Sequence, residues 1–194
     1  TSVSNILKLI KPLFLDEFYE ELEKSTTINQ LYKLQNRIAK AKFFDPACGS
    51  GNFLIITYKE LRVLEIEIIK KIIELSDGNV LNAFASQIKI SQFYGIEIDD
   101  FAHEIATLSL WLAEHQMNII FEERLFEFAQ VVSILPLKSI ANIVQGNSTR
   151  LNWEYVCPIS ETDEVYVIGN PPFEGSRGQV ENQKDDLKVV FRED

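Results

Sequence analysis

Only two cysteines, Cys48 and Cys157, occur in this 194-residue chain, with no CxxC spacing and no histidine nearby. Neither a zinc site nor a disulfide framework is suggested, and a reducing cytoplasm is the expected setting. No apolar run is long and clean enough to span a bilayer. Residues Thr1 to Asn5 lack the pattern of a signal peptide, so no membrane partner is expected. There is no initiator Met, which points to a cloning or proteolytic boundary ahead of Thr1. Basic charge is scarce: 19 Lys and Arg stand against 29 Asp and Glu, a net charge of −10. Phosphate contacts need Lys and Arg, so this balance argues against strong nucleic-acid binding by this segment alone. A nucleic-acid substrate would require basic surface elsewhere, or gathered on one face.

What is present is the pattern of an ordinary globular domain, with 46% hydrophobic and 25% charged residues. Ile6 to Phe18 mixes apolar and polar residues at roughly helical spacing. Leu31 to Ala41 reads as a clearer amphipathic helix through Leu31, Leu34, Ile38 and Ala41. Lys42 to Asp45 reads as a short buried strand, followed by the loop Pro46 to Gly51 and a long helix from Asn52 to Leu75. Ser76-Asp77-Gly78-Asn79 stops that helix. A second strand spans Gln92 to Ile98. Asp99 or Asp100 caps a helix from Phe101 to Met117. Glu122 to Val132 is a further helix or loop. Ala141 to Gln145 and Val165 to Gly169 are the third and fourth strands, and Gln183 to Phe191 opens another helix. Strands alternating with helices imply βαβ units and a mostly parallel sheet, hence an α/β fold. Such sheets bind ligands at the carboxyl ends of their strands, and three motifs lie there.

The first motif is Asp45-Pro46-Ala47-Cys48-Gly49-Ser50-Gly51-Asn52-Phe53. Glycines between strand and helix let the backbone turn tightly and approach a ligand, and the helix start adds free N–H groups. The loop has neither the GxGxxG of dinucleotide folds nor the GK[ST] of phosphate loops. An Asp opening it can take the ammonium of an amino-acid moiety, which points to S-adenosylmethionine. Glycines alone fit a plain strand–helix turn equally well. The second motif is Glu97 at the end of the second strand, where an acid can accept from both ribose hydroxyls. Ile98 beside it could pack on the adenine. The bland alternative, a capping or solvated acid, suits Asp99 and Asp100 better than Glu97. After the third strand, Gly146-Asn147-Ser148 offers a polar side chain for the cofactor's adenine amino group, or simply a turn.

The third motif, Asn170-Pro171-Pro172-Phe173, is the sharpest. Consecutive prolines fix the backbone and remove two donors. An exocyclic amine is nearly planar, its lone pair drawn into the ring. Two acceptors on its two N–H bonds pull it toward tetrahedral geometry, and the Asn170 side-chain oxygen and the Pro171 carbonyl supply two. Phe173 offers a face on which a flipped base can stack. The alternative is a tight surface turn with a buried Phe.

Other features read as structural. Cys48 is a packing residue rather than a nucleophile. His103 and His115, twelve residues apart, match no ligand pair, and no metal is expected. Trp111 with Leu108 and Leu112 reads as core, and Glu122-Glu123-Arg124 as a solvated face.

The stretches "DPACGSGNFL", "YGIEI" with Leu110-Trp111, and "GNPPF" resemble the amino-methyltransferases of bacterial restriction–modification systems. The nearest likeness is to gamma-order DNA adenine-N6 methyltransferases of the type IIL and phage-defence group. The resemblance implies a Rossmann-like class I methyltransferase fold with a doubly wound sheet. About four of its seven strands fall in this chain, behind N-terminal helices. Residues 1–41 would form a helical segment contributing to the cofactor pocket, and residues 42–194 the N-terminal part of the methyltransferase domain. It implies S-adenosylmethionine held by Asp45, Ala47, Gly49, Glu97 and Asn147, with Pro46, Cys48, Gly51, Phe53, Ile98 and Ser148 beside them. Asn170, Pro171, Pro172 and Phe173 would carry the chemistry. The group often has Asp where Asn147 stands. Double-stranded DNA is the implied partner, gripped mainly by a target-recognition domain outside this chain, with nuclease or defence subunits alongside. The isolated segment is expected to be inactive. Cytosine-N4, a protein glutamine or an RNA base poses the same amine problem, and a non-catalytic cofactor-binding subunit is a further alternative.

Overall fold

The computed structural model describes residues 2–76, 84–126, 141–171 and 178–191, except the Phe191 side chain. Asp77-Gly78-Asn79, residues 127–132, Pro172 and Phe173 lie outside the described residues.

Helix α1 (Val3–Ile10) starts at Ser2, whose hydroxyl accepts from Asn5 N. A five-residue π turn, Lys11–Leu15, then leads into α2 (Asp16–Lys24). Pro12 lies in that turn. Its ring removes a donor and crowds the preceding carbonyl, which widens the ladder there. Helix α3 (Ile28–Lys40) opens on a capping box in which Thr27 and Gln30 satisfy each other's backbone N–H groups.

Strand β1 (Lys42–Asp45) is followed by α4 (Asn52–Leu75) and β2 (Phe93–Glu97). The chain continues as α5 (Asp100–Leu125), β3 (Asn142–Gln145) and the short α6 (Trp153–Val156). Strand β4 (Val165–Val167) and α7 (Glu181–Phe191) complete it. Asp99 caps α5 by accepting from Ala102 N at 2.8 Å. That helix runs through Glu122 to Leu125, so the expected break near Met117 is absent. The expectation missed α6, which is only one turn long.

Among the described residues, the sheet's four strands are all parallel, in the order β3-β2-β1-β4. The chain steps outward from β1 to β3 and returns to the far side of β1 for β4. The switch point of this doubly wound sheet therefore lies between β1 and β4. Side chains alternate across the sheet. Phe43, Phe93 and Tyr166 face the layer built by α1 to α5. Phe44 and Ile96 face α6, where Val156 and Cys157 cover them and Trp153 meets Phe44 edge-on. Phe14 packs on Phe43 and Tyr166 at ring distances of 5.2 and 4.7 Å, which joins the N-terminal helices to β1 and β4. Arg37 on α3 reinforces this join with ion pairs to Glu17, Glu21 and Glu164.

Helix α4 touches β1, β2, α1, α3 and α5, which explains why it is apolar almost all round. Its polar exceptions pair with one another. Arg62, 1% exposed, donates to Tyr58 Oη and to Asn118 Oδ1, and lies 3.4 Å from Glu65. Glu65 in turn accepts from Ser86 Oγ and Gln87 N, each at 2.6 Å. One expected core group is corrected. Leu108 is 53% and Leu112 45% exposed, on the outer face of α5, while Leu110 is buried. Counting apolar residues could not assign the face that neighbouring α4 selects. Among the described residues, no helix is long and apolar enough to cross a membrane.

Candidate active site

The carboxyl end of β1 delivers Asp45 into the loop that starts α4. Its Oδ1 accepts from Ala47 N at 3.0 Å, two residues on. The loop is then stitched to β2: Cys48 N donates to Ile96 O at 3.0 Å and Gly49 N to Glu97 Oε2 at 2.7 Å. The other Glu97 oxygen accepts from Asp99 N at 2.9 Å. Gly51 turns the chain into α4 at φ +82°, and a Cβ there would lie 3.3 Å from Ala106 Cβ on α5. Left-handed backbone and close helix approach coincide, and glycine satisfies both.

Asp45 is buried, 1% exposed. Burial pushes its carboxyl up to about 6, the Ala47 N–H opposes this, and the like charge of Glu97 adds to it. No cation figures among these influences. A buried acid beside a second acid is a site suited to a positively charged ligand. S-adenosylmethionine, with an ammonium and a sulfonium, fits that donor set.

The other strand ends converge here. Gly146 N, after β3, donates to Glu97 O at 2.8 Å. After β4, Ile168 N donates to Phe44 O at 2.8 Å. Gly169 follows, so close to β1 that a Cβ on it would lie 2.5 Å from Asp45 Oδ1. Asn170 and Pro171 are exposed at that end of the sheet.

The expected cofactor residues thus divide. Asp45, Pro46, Ala47, Cys48, Gly49, Gly51 and Glu97 form one hydrogen-bonded corner. Ile98 is exposed beside it, and Phe53 is buried in the core at the first turn of α4. Cys48 is buried, its thiol pushed up to about 12, mainly by burial and further by Asp45 and Glu97. Ser148 uses its carbonyl, which accepts from Trp153 Nε1 at 2.8 Å. Asn147 is held by three contacts. Its Oδ1 accepts from Thr149 N at 3.0 Å and Thr149 Oγ1 at 2.7 Å, and its Nδ2 donates to Asp186 Oδ2 at 2.8 Å. Arg150 Nε donates to Asp186 Oδ1 at 2.6 Å. Sequence reasoning missed Gly169 and Asp186. The glycine adjoins the Asn-Pro-Pro motif and was open to notice. The aspartate lies 39 residues from its partner, in an unremarkable charged helix.

His103 Nε2 donates to Ile143 O, 3.2 Å away, and His115 stacks on Trp111. Asp100, His103 and Glu104 bring ligand-type atoms within 4.8 Å of one another, on the mostly exposed first turn of α5.

The sequence family described as "MmeI, DNA-methyltransferase domain" matches residues 20–194. The chain is 52% identical over 193 residues to DNA methyltransferase A of Bacillus subtilis (strain 168), covering 98% of this chain and 21% of the relative. It is 36% identical over 102 residues to a putative type II restriction enzyme and methyltransferase of Methanocaldococcus jannaschii, covering 51% of this chain and 8% of that one. The solved structure of the type IIL restriction–modification enzyme MmeI in complex with DNA superposes with a TM-score of 0.88 at 43% identity. That match covers all of this chain and 25% of that one. The chain thus spans a quarter or less of the relatives it matches. With the Rossmann-like sheet, the strand-end motifs and a family match over nearly its whole length, the chain belongs to the MmeI DNA-methyltransferase domain family.

Proposed function

We propose that this chain carries the S-adenosylmethionine site and the amine-activating motif of a DNA adenine-N6 methyltransferase. The observation that carries the reading is the contact of Asp45 with Gly169. It sets the buried acid suited to the cofactor's cationic end directly against the residue before Asn170 and Pro171. Methyl donor and acceptor amine would then meet at the switch point of the sheet, where such folds bind their ligands.

Bound S-adenosylmethionine supplies an electrophilic methyl group. The chain's own residues do the rest. Asp45 orients the amino-acid end, Glu97 takes the ribose hydroxyls, and Ile98 and Asn147 border the adenine. Residues 1–41 support the pocket from behind, through Phe14 against Phe43 and Tyr166. A target adenine flipped out of duplex DNA presents its two N–H bonds to Asn170 Oδ1 and the Pro171 carbonyl. Both acceptors draw the nitrogen toward tetrahedral geometry and free its lone pair. No base is needed beforehand, because the methylated cation loses its proton readily. Phe173 stacks on the base, a contribution of roughly 1–3 kcal/mol.

With a net charge of −10, the chain needs basic DNA-binding surface from elsewhere in a longer polypeptide, so residues 1–194 alone are inactive in this reading. The test is to express the full-length protein in a methylation-free host and map modified bases by single-molecule sequencing. N6-methyladenine at one recurring sequence, lost on Asn170→Ala, is the expected result. N4-methylcytosine instead would move the target, and no modified DNA base would overturn the reading.

A further inference from the structure

Asn147 follows the strand end beside Glu97, and its amide can point only one way. A backbone N–H is solely a donor, so the atom facing Thr149 N must be the oxygen. A carboxylate is solely an acceptor, so the atom facing Asp186 must be the nitrogen. The Asn147 oxygen already accepts from Thr149 N and Thr149 Oγ1, which fills both its lone pairs. Its nitrogen gives one hydrogen to Asp186 and keeps one. Arg150 pins the other oxygen of Asp186. What the β3 loop offers a ligand through Asn147 is therefore one N–H donor and no acceptor.

Resting on the proposed cofactor reading, we infer that Asp186 is a positioning residue that makes Asn147 a donor toward N1 of the cofactor's adenine. N1 of adenine is an acceptor, whereas its amino group is a donor and cannot pair with an N–H. A 6-oxopurine carries hydrogen on N1 and meets the Asn147 N–H donor to donor. The latch also fastens α7, on the far side of the Asn170-Pro171 motif, to the adenine end of the site.

The test uses the full-length protein and calorimetric binding of two probes, S-adenosylhomocysteine and S-inosylhomocysteine, which differ at positions 1 and 6 of the purine. The unaltered protein should prefer the adenosyl probe by about tenfold or more, the size of one hydrogen-bond mismatch. Asp186→Ala should cut that preference to about threefold or less, as should Asn147→Ala. The double variant should show no further loss, because one residue acts through the other. Asp186→Asn, which still accepts from Asn147, should retain most of the preference. An equal loss of affinity for both probes in Asp186→Ala, or an additive loss in the double variant, would overturn the inference. Equal binding of both probes by the unaltered protein would do the same and leave the cofactor reading standing. If the unaltered protein binds neither probe, the cofactor reading fails as well.

Discussion

Gly169 stands against the Asp45 carboxylate so closely that a Cβ at position 169 would lie 2.5 Å from Oδ1. This contact ties the end of β1 to the end of β4. The buried carboxylate has little freedom to move aside, because Ala47 N holds the same oxygen.

On the proposed reading, Gly169→Ala is therefore expected to displace the carboxylate and weaken S-adenosylmethionine binding by about tenfold or more, equivalent to ~1.4 kcal/mol. Calorimetry on the full-length protein measures this. Unchanged affinity would show that Asp45 has room to retreat.

Asp45 sets the proposed function against stability. Its carboxyl is raised in the fold to about 6 from 3.8, so folding takes up a proton. The group's contribution to stability is full below pH 3.8 and is lost as pH rises through about 6. At neutral pH the ionised group costs on the order of 3 kcal/mol. Asp45→Asn keeps an acceptor for Ala47 N and removes that cost. Its melting temperature should exceed the parent's at pH 7.5 and converge with it only below about pH 4, and on the proposed reading cofactor binding should be lost. A lower melting temperature at pH 7.5 would contradict the assigned burial penalty.

Arg62 and Glu65 are both fully buried, between α4, α5 and residues 86–87. Removing one leaves the other charge unpaired in the core, a loss of about 3–5 kcal/mol. Arg62→Ala should therefore lower denaturant stability by that amount. Replacing both with apolar residues, as in Arg62→Met with Glu65→Leu, should recover a large part. A double variant less stable than Arg62→Ala would show that Ser86 and Gln87 depend on the carboxylate.

Cys48 lies in the middle of the loop between β1 and α4 yet is buried, with its thiol pushed up to about 12. Thiolate is the reactive form, so maleimide at pH 8 should leave it unlabelled in the native protein. On the proposed reading, Cys48→Ala should keep S-adenosylmethionine affinity within about threefold, or roughly 0.7 kcal/mol. Rapid labelling would mean that the loop opens.

Several features were legible in the sequence because their causes are local. The alternation of strand and helix follows from periodicity. The extent of α4, expected from about Asn52 to Leu75, matches the helix found, since apolar residues recur at helical spacing along it. The motifs at the ends of β1, β2 and β4 stood out because glycine, paired proline and strand-end acids each restrict the backbone or the chemistry in a way few other residues do. Other features depended on which elements become neighbours. The strand order β3-β2-β1-β4 sets Asp45 beside Gly169, and no residue near Asp45 in the chain announces that contact. The outward turn of Leu108 and Leu112 depends on where α4 packs. The orientation of the Asn147 amide depends on Asp186, brought from another helix. A side chain's period and type are set by its own stretch of chain. Its burial, its partners and the direction of its hydrogen bonds are set by elements far along it, which only the folded packing brings together.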